Sequence, residues 1–171
     1  MITLVEPCER YLQSYMEAHD EYEIHGVGTY AFDAARTYNI FEKYDNYRKE
    51  RNLPPNRVGS HFYWLVDEER NYFIGEISIR HRLTDSLRRY GGHIGYGVRF
   101  SEWKKGYGTL MLQLALEKAK KLGISTALIT CDDDNYGSAK VMENNGFVLQ
   151  DKVTNIVDGS IITTRRYTKT L

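Results

Sequence analysis

"HIGYGVRFSEWKKGYGTLMLQLALEKAKKLG", residues 93–123, sets an alternating strand, a basic glycine loop and an apolar helical run in direct succession. The helix is predicted over 107–122 and stops at Gly123, a residue suited to a helix C-terminus. Gly106 and Gly108 cost backbone entropy that alanine would not, so bare main chain is needed where the helix begins. The first N–H groups of a helix lack intrahelical partners and sit at the positive end of its dipole. With Lys104 and Lys105 beside them they form a candidate phosphate site. An ordinary helix entry with exposed lysines is the alternative. The chain contains no G-x-x-x-x-G-K-[ST] string, and "GYGTLM" lacks the last glycine of a dinucleotide fingerprint. Nucleotide hydrolysis and nicotinamide chemistry therefore lose support.

Outward from this stretch, "SHFYWLVDE" and "YFIGEISIRHRL" alternate as strands about a short turn, and "SLRRYGG" crosses to the strand at residue 93. Upstream, a short strand at 2–8 precedes helices predicted over 9–23 and 34–51, the second ended by Pro54 and Pro55. Downstream, "STALITC" reads as a strand and 138–145 as a short helix. Strands at 147–155 and 160–169 then form a hairpin around Asp158-Gly159. The order predicts one α+β domain over residues 1–171, with a mixed, mostly antiparallel sheet flanked by helices.

Twenty-three basic and 23 acidic side chains cancel, which argues against nucleic acid as a partner. The first residues carry acids and no long apolar run, and no stretch approaches a membrane span. A cytoplasmic protein is expected, with Cys8 and Cys131 reduced. Open edge strands and the terminal hairpin leave a homodimer open.

The stretch from Gly95 to Phe147 resembles the core of the GNAT N-acetyltransferase superfamily, and "IGEISIRHRL…GGHIGYGVR" is similar to a branch of predicted bacterial acetyltransferases. Val98, Arg99 and Phe100 match the end of the family's central strand. Lys104, Lys105, Gly106, Tyr107, Gly108 and Thr109 match its pyrophosphate loop. Asn135 and Ser138 match an N-x-x-S pair, and Asn145-Gly146-Phe147 the closing motif. Phe100 replaces a common proline, and Trp103 stands where the family usually has Arg or Gln. The resemblance implies a GNAT-like fold, acetyl-CoA as co-substrate, and direct acetyl transfer to a primary amine in a ternary complex. A catalytically weak or inactive acyl-CoA-binding sensor of the same fold is the alternative.

Acetyl transfer makes two demands. An amine with a pKa near ~10.4 is neutral in roughly one molecule in a few thousand at pH 7, so a base is needed. The departing thiolate needs a proton or a hydrogen bond. Many family members supply a Tyr where this chain has Met142, so Ser138 is the first candidate there and Tyr136 the second. A helix-cap role for Ser138 is the alternative; Asn135 is expected to contact backbone or pantetheine. Glu76, a polar interruption in an apolar strand, is the candidate base, with His93 the other. Alternation puts Glu76 on one face with Ser78 and Arg80: a solvated face, unless that face is the substrate groove. Arg80, His81, Arg82, Arg88 and Arg89 would favour an anionic acceptor if they line that groove. Asp132–Asp134 read as turn and cap chemistry, and no metal is expected.

Overall fold

β3 (Tyr72–Arg80) sends its two faces into different surroundings, and that division organises the molecule. In this computed structural model, which describes residues 1–171, β3 lies between β2 (Ser60–Asp67) and β4 (Ile94–Val98). β1 (Ile2–Val5) completes an antiparallel four-stranded sheet in the order β1-β2-β3-β4. A bulge shifts the β2–β3 register, so that Leu65 faces Gly75 and Val66 faces Phe73. Ile74 and Gly75 consequently share one face, and the bulge returns Phe73 and Glu76 to the other.

Ile74, Ile77 and Ile79 pack in one core with Met111, Leu112 and Ala115 of α4 (Tyr107–Lys121) and Met142 of α5 (Tyr136–Asn144). Trp64, Val66 and Phe73 form the second core with Tyr15, Ala18 and Tyr22 of α1 (Leu12–His25) and Tyr44 of α2 (Ile40–Lys49). Tyr15 stacks on Trp64 at 4.8 Å and meets Phe73 edge-on at 5.0 Å, so this second core is largely aromatic. Much of the tyrosine in the sequence is used there.

β5 (Thr126–Asp132), β7 (Ser160–Thr170) and β6 (Val148–Val157) form a second antiparallel sheet in the order β5-β7-β6. Its hairpin turns at Asp158 and Gly159, both with positive φ, as the two-residue signal requires. The sheets touch at a single bridge, Gly92–Ile129. There the His93 amide donates to Leu128 O at 2.7 Å, and the Leu128 amide donates to His93 Nδ1 at 3.0 Å. Beyond this clasp β4 has no strand partner on its outer edge, and β4 and β5 belong to separate sheets.

The helix bounds differ from expectation for local reasons. Residues 9–11 form a 3₁₀ turn and α1 begins at Leu12, running on to a left-handed Gly26. The second helix is shorter than 34–51: the Asn39 side chain accepts from the Phe41 and Glu42 amides and caps it at Ile40. It ends at Glu50, itself left-handed, before either proline is reached. "SLRRYGG" contains a short helix, α3 (Asp85–Arg89), capped by the Thr84 side chain on the Leu87 amide. No helix is long and apolar enough to cross a membrane.

Candidate active site

α4 begins without a side-chain cap. Its N-cap is Gly106 at φ 85°, and the first helical bond runs from the Leu110 amide to Gly106 O. The amides of Tyr107, Gly108 and Thr109 find no acceptor in the protein. Three unpaired donors at the positive end of a helix of fifteen residues make a candidate anion site. The two glycines serve different needs. Gly106 supplies a left-handed turn with open space around it, whereas a Cβ on Gly108 would lie 3.1 Å from Val141 Cγ2 of α5. Lys104 is exposed and unpaired; Lys105 is spent on Glu102, with Nζ to Oε2 at 3.0 Å.

The strand end divides in function. Val98 reaches the loop, its Cγ2 lying 3.8 Å from where a Gly108 Cβ would stand. Arg99 does not: it is 6% exposed, donates to Glu21 at 2.6 Å and to Ser14 Oγ at 3.0 Å, and lies over the Tyr72 ring. Its amide is taken by Ile74 O, so Arg99 ties β4 to α1 and its guanidinium is not available to a phosphate. Phe100 stacks on His25 at 3.8 Å and meets Trp103 at 4.7 Å. The Trp103 indole donates to Val98 O at 2.7 Å. The two departures from the family pattern thus pack with each other and brace the strand end from the α1 side.

At α5 the cap is Asn135, whose Oδ1 accepts from the Ser138 amide at 3.1 Å. The reading of Ser138 as the cap residue is therefore corrected: the hydroxyl is left for another purpose. It lies 2.7 Å from Tyr96 Oη. Tyr96 alternates with Gly95 and Gly97 along β4 and is carried on the face toward α4 and α5. Burial raises its phenol pKa, against the Ser138 hydrogen bond, which lowers it. Tyr136, the second candidate, is 68% exposed and stacks under Arg165 instead. Met142 is buried in the core.

Glu76 is not solvated. It is 2% exposed; Tyr30 Oη donates to Oε1 at 2.8 Å, and Tyr44 Oη and Trp64 Nε1 donate to Oε2 at 2.5 and 2.8 Å. Burial raises its carboxyl pKa against the pull of those three donors. Ser78 and Arg80, on the same face, line a cleft of about 820 Å³ bounded by α2, α3 and the β6–β7 hairpin, with Tyr30 also in its wall. The alternating face is the wall of a groove. Tyr30 lies across β4: a Cβ on Gly97 would fall 2.7 Å from its ring, and one on Gly95 3.4 Å. Those glycines explain "GYG" in the strand, and the sequence reading missed both Tyr30 and Tyr96.

His93 is the clasp described above. Its Nδ1 already accepts from Leu128, and burial, helped by Arg88 and Arg80, lowers its pKa. Asp133 pairs with Lys152 at 2.7 Å and Arg165 at 2.7 Å, anchoring the hairpin. Cys131 is buried, which pushes its thiol up to about 11.

The parted sheets, the uncapped glycine-led helix and the groove on the far face stand in the arrangement that the resemblance implies, and comparisons with known proteins identify the family. The sequence profile described as acetyltransferase (GNAT) domain matches residues 2–148, so the chain belongs to the GNAT acetyltransferases and is an acyltransferase. Among solved structures, the microcin C7 self-immunity acetyltransferase MccE, in complex with acetyl-CoA and AMP, superposes with TM-score 0.72 at 19% identity. That match covers 99% of this chain and 92% of the other. RimL, a ribosomal L7/L12 alpha-N-protein acetyltransferase in complex with coenzyme A, superposes with TM-score 0.73 at 16% identity, covering 99% and 94%. The ribosomal-protein-S5-alanine acetyltransferase of Vibrio fischeri gives 0.72 at 16% identity, covering 99% and 91%. No curated protein matches the sequence.

Proposed function

We propose that this acetyltransferase moves an acetyl group from acetyl-CoA to a primary amine by direct attack inside a ternary complex. The observation that carries the reading is the placement of two hydrogen-bonded pairs on opposite faces of β4. Tyr96–Ser138 stands on the α4 and α5 face, and Tyr30–Glu76 on the groove face. Structural neighbours hold acetyl-CoA or coenzyme A, which supports the same co-substrate here.

The Tyr107, Gly108 and Thr109 amides receive the diphosphate, with Lys104 as a mobile charge, and the unpaired outer edge of β4 takes the pantetheine arm. On the groove side the ammonium proton passes to Tyr30 Oη as Tyr30 gives its own to Glu76. A carboxyl raised by burial is the stronger base for that step. The free amine forms its bond to the carbonyl carbon, the C–S bond breaks, and the surplus proton on the acylated nitrogen passes to the departing sulfur, which leaves as the free thiol of coenzyme A. A thiolate with pKa near ~8.5 is less basic than a buried phenolate, so Tyr96 keeps its proton. Ser138, oriented by Tyr96, donates a hydrogen bond to the departing sulfur. Ser138 is the catalytic residue on that side and Glu76 acts through Tyr30.

The test is release of free thiol from acetyl-CoA across a library of primary amines. Turnover with at least one amine, abolished by omitting it, supports the reading. Coenzyme A binding without turnover across the library contradicts it.

A further inference from the structure

The groove wall holds four cationic side chains, Lys43, Arg57, Arg80 and Arg89, and no carboxylate. Lys43 is neutralised by Asp33 at 2.6 Å. The three arginines have no acidic partner anywhere in the protein. Arg57 makes no side-chain hydrogen bond, and Arg89 donates only to Thr154 O at 2.8 Å. Arg80 is the most enclosed, and burial lowers its pKa with Arg57 adding to the effect. Its Nη1 donates to Gly91 O and Gly92 O, both at 2.9 Å, which fixes the guanidinium plane. Nε and Nη2 are left without acceptors, and Nη2 lies 3.7 Å from where a Cβ on Gly95 would stand. Tyr30 and Ser78 Oγ border the same point, each at 3.4 Å.

An enclosed guanidinium with no counter-charge is costly, and a well-hydrogen-bonded anion is what offsets that cost. The fork is held rigid, as planar recognition of a carboxylate or phosphate requires. Its scaffold is rigid too. Asn155 Nδ2 donates to Arg89 O at 3.2 Å, and Arg166 Nη1 to Arg88 O at 3.1 Å, so the hairpin straps α3 in place. A cleft of about 820 Å³ is the size of a small-molecule site. By contrast His81 and Arg82 pair with Glu50 at 2.9 and 2.6 Å and stand outside the groove wall.

Resting on the acetyl-transfer reading, we infer that the acceptor is a small amine carrying a carboxylate or phosphate close to its amino group, with the anion held by Arg80, Arg57 and Arg89. Because Arg80 Nη2 and Tyr30 meet over Gly95, amine and anion are joined by a short spacer.

The test titrates three small amines into the protein saturated with coenzyme A: β-alanine, O-phosphoethanolamine and propylamine. Thiol release from acetyl-CoA is measured with each in parallel. The inference expects either anionic amine to bind about tenfold or more tighter than propylamine. The preference should be lost in Arg57→Gln/Arg89→Gln and kept in Arg82→Gln. The stronger of the two anionic probes names the anion. Equal binding of all three, binding of none, or an unchanged preference in the double variant overturns the inference. Thiol release that is equal for all three overturns the inference and leaves acetyl transfer standing. Anion-selective binding without thiol release keeps the groove assignment and removes acetyl transfer.

Discussion

Tyr96 Oη and Ser138 Oγ lie 2.7 Å apart, joining the middle of the edge strand β4 to the first turn of α5. Asn135 makes this contact possible by capping the helix, which frees the serine hydroxyl. Met142 is buried where many family members place a tyrosine, and in the proposed mechanism the hydroxyl pair takes over its role from two other positions.

Replacing Ser138 with alanine should therefore lower kcat by about 10²-fold, with coenzyme A affinity changed less than twofold. Tyr96→Phe should fall between that variant and the parent, because it only orients the donor. Steady-state rates beside calorimetric titration check both. An unaltered kcat in Ser138→Ala would show that the hydroxyl has no part in thiolate departure.

Gly106 sits at φ 85°, where an L-residue costs about 1–2 kcal/mol. Gly106→Val should reshape the turn before α4 and weaken coenzyme A binding at least about tenfold. Lys105→Ala should matter little, since Lys105 already pairs with Glu102. Similar losses in the two variants, measured by titration, would mean that exposed charge and not main chain holds the ligand.

Gly97→Ala places a methyl 2.7 Å from the Tyr30 ring, so the ring must move. The expected cost is about 1–3 kcal/mol of stability, with a loss of kcat beyond what a shifted melting temperature explains. Full activity in the folded variant would remove Tyr30 from the proton route.

Burial raises the Glu76 pKa in the folded protein, so between its unfolded value and that raised value the folded state holds more protons. Stability from this group is full below the unfolded pKa and is lost as pH rises through the folded one. The slope is at most ~1.4 kcal/mol per pH unit. Glu76→Gln has no such titration. The difference between parent and variant in urea unfolding, taken from pH 4 upward, should change by that slope and then level off. A flat difference would contradict a carboxyl raised by burial.

Much of this was legible from residue order alone. The glycine loop, the alternation of β3 and the Asp158-Gly159 hairpin are local signals, and each element formed where its signal lies. Tertiary pairing decided the rest. Glu76 appears solvated on alternation until Tyr30, Tyr44 and Trp64 arrive from three separate segments to bury it. Arg99 has a cofactor-facing position in the family pattern, yet Glu21 and Ser14, nearly eighty residues upstream or more, capture it. Glycines at 95 and 97 were a visible sign that a ring lies across the strand, though not of which ring.

The most direct measurement is the amide spectrum of ¹⁵N-labelled protein titrated with coenzyme A and, separately, with pantetheine, which lacks the diphosphate. The account predicts that the Tyr107, Gly108 and Thr109 resonances shift strongly with coenzyme A and hardly at all with pantetheine. If those three amides stay put while coenzyme A binds, or move equally with both ligands, the helix start does not hold the diphosphate and the account is wrong.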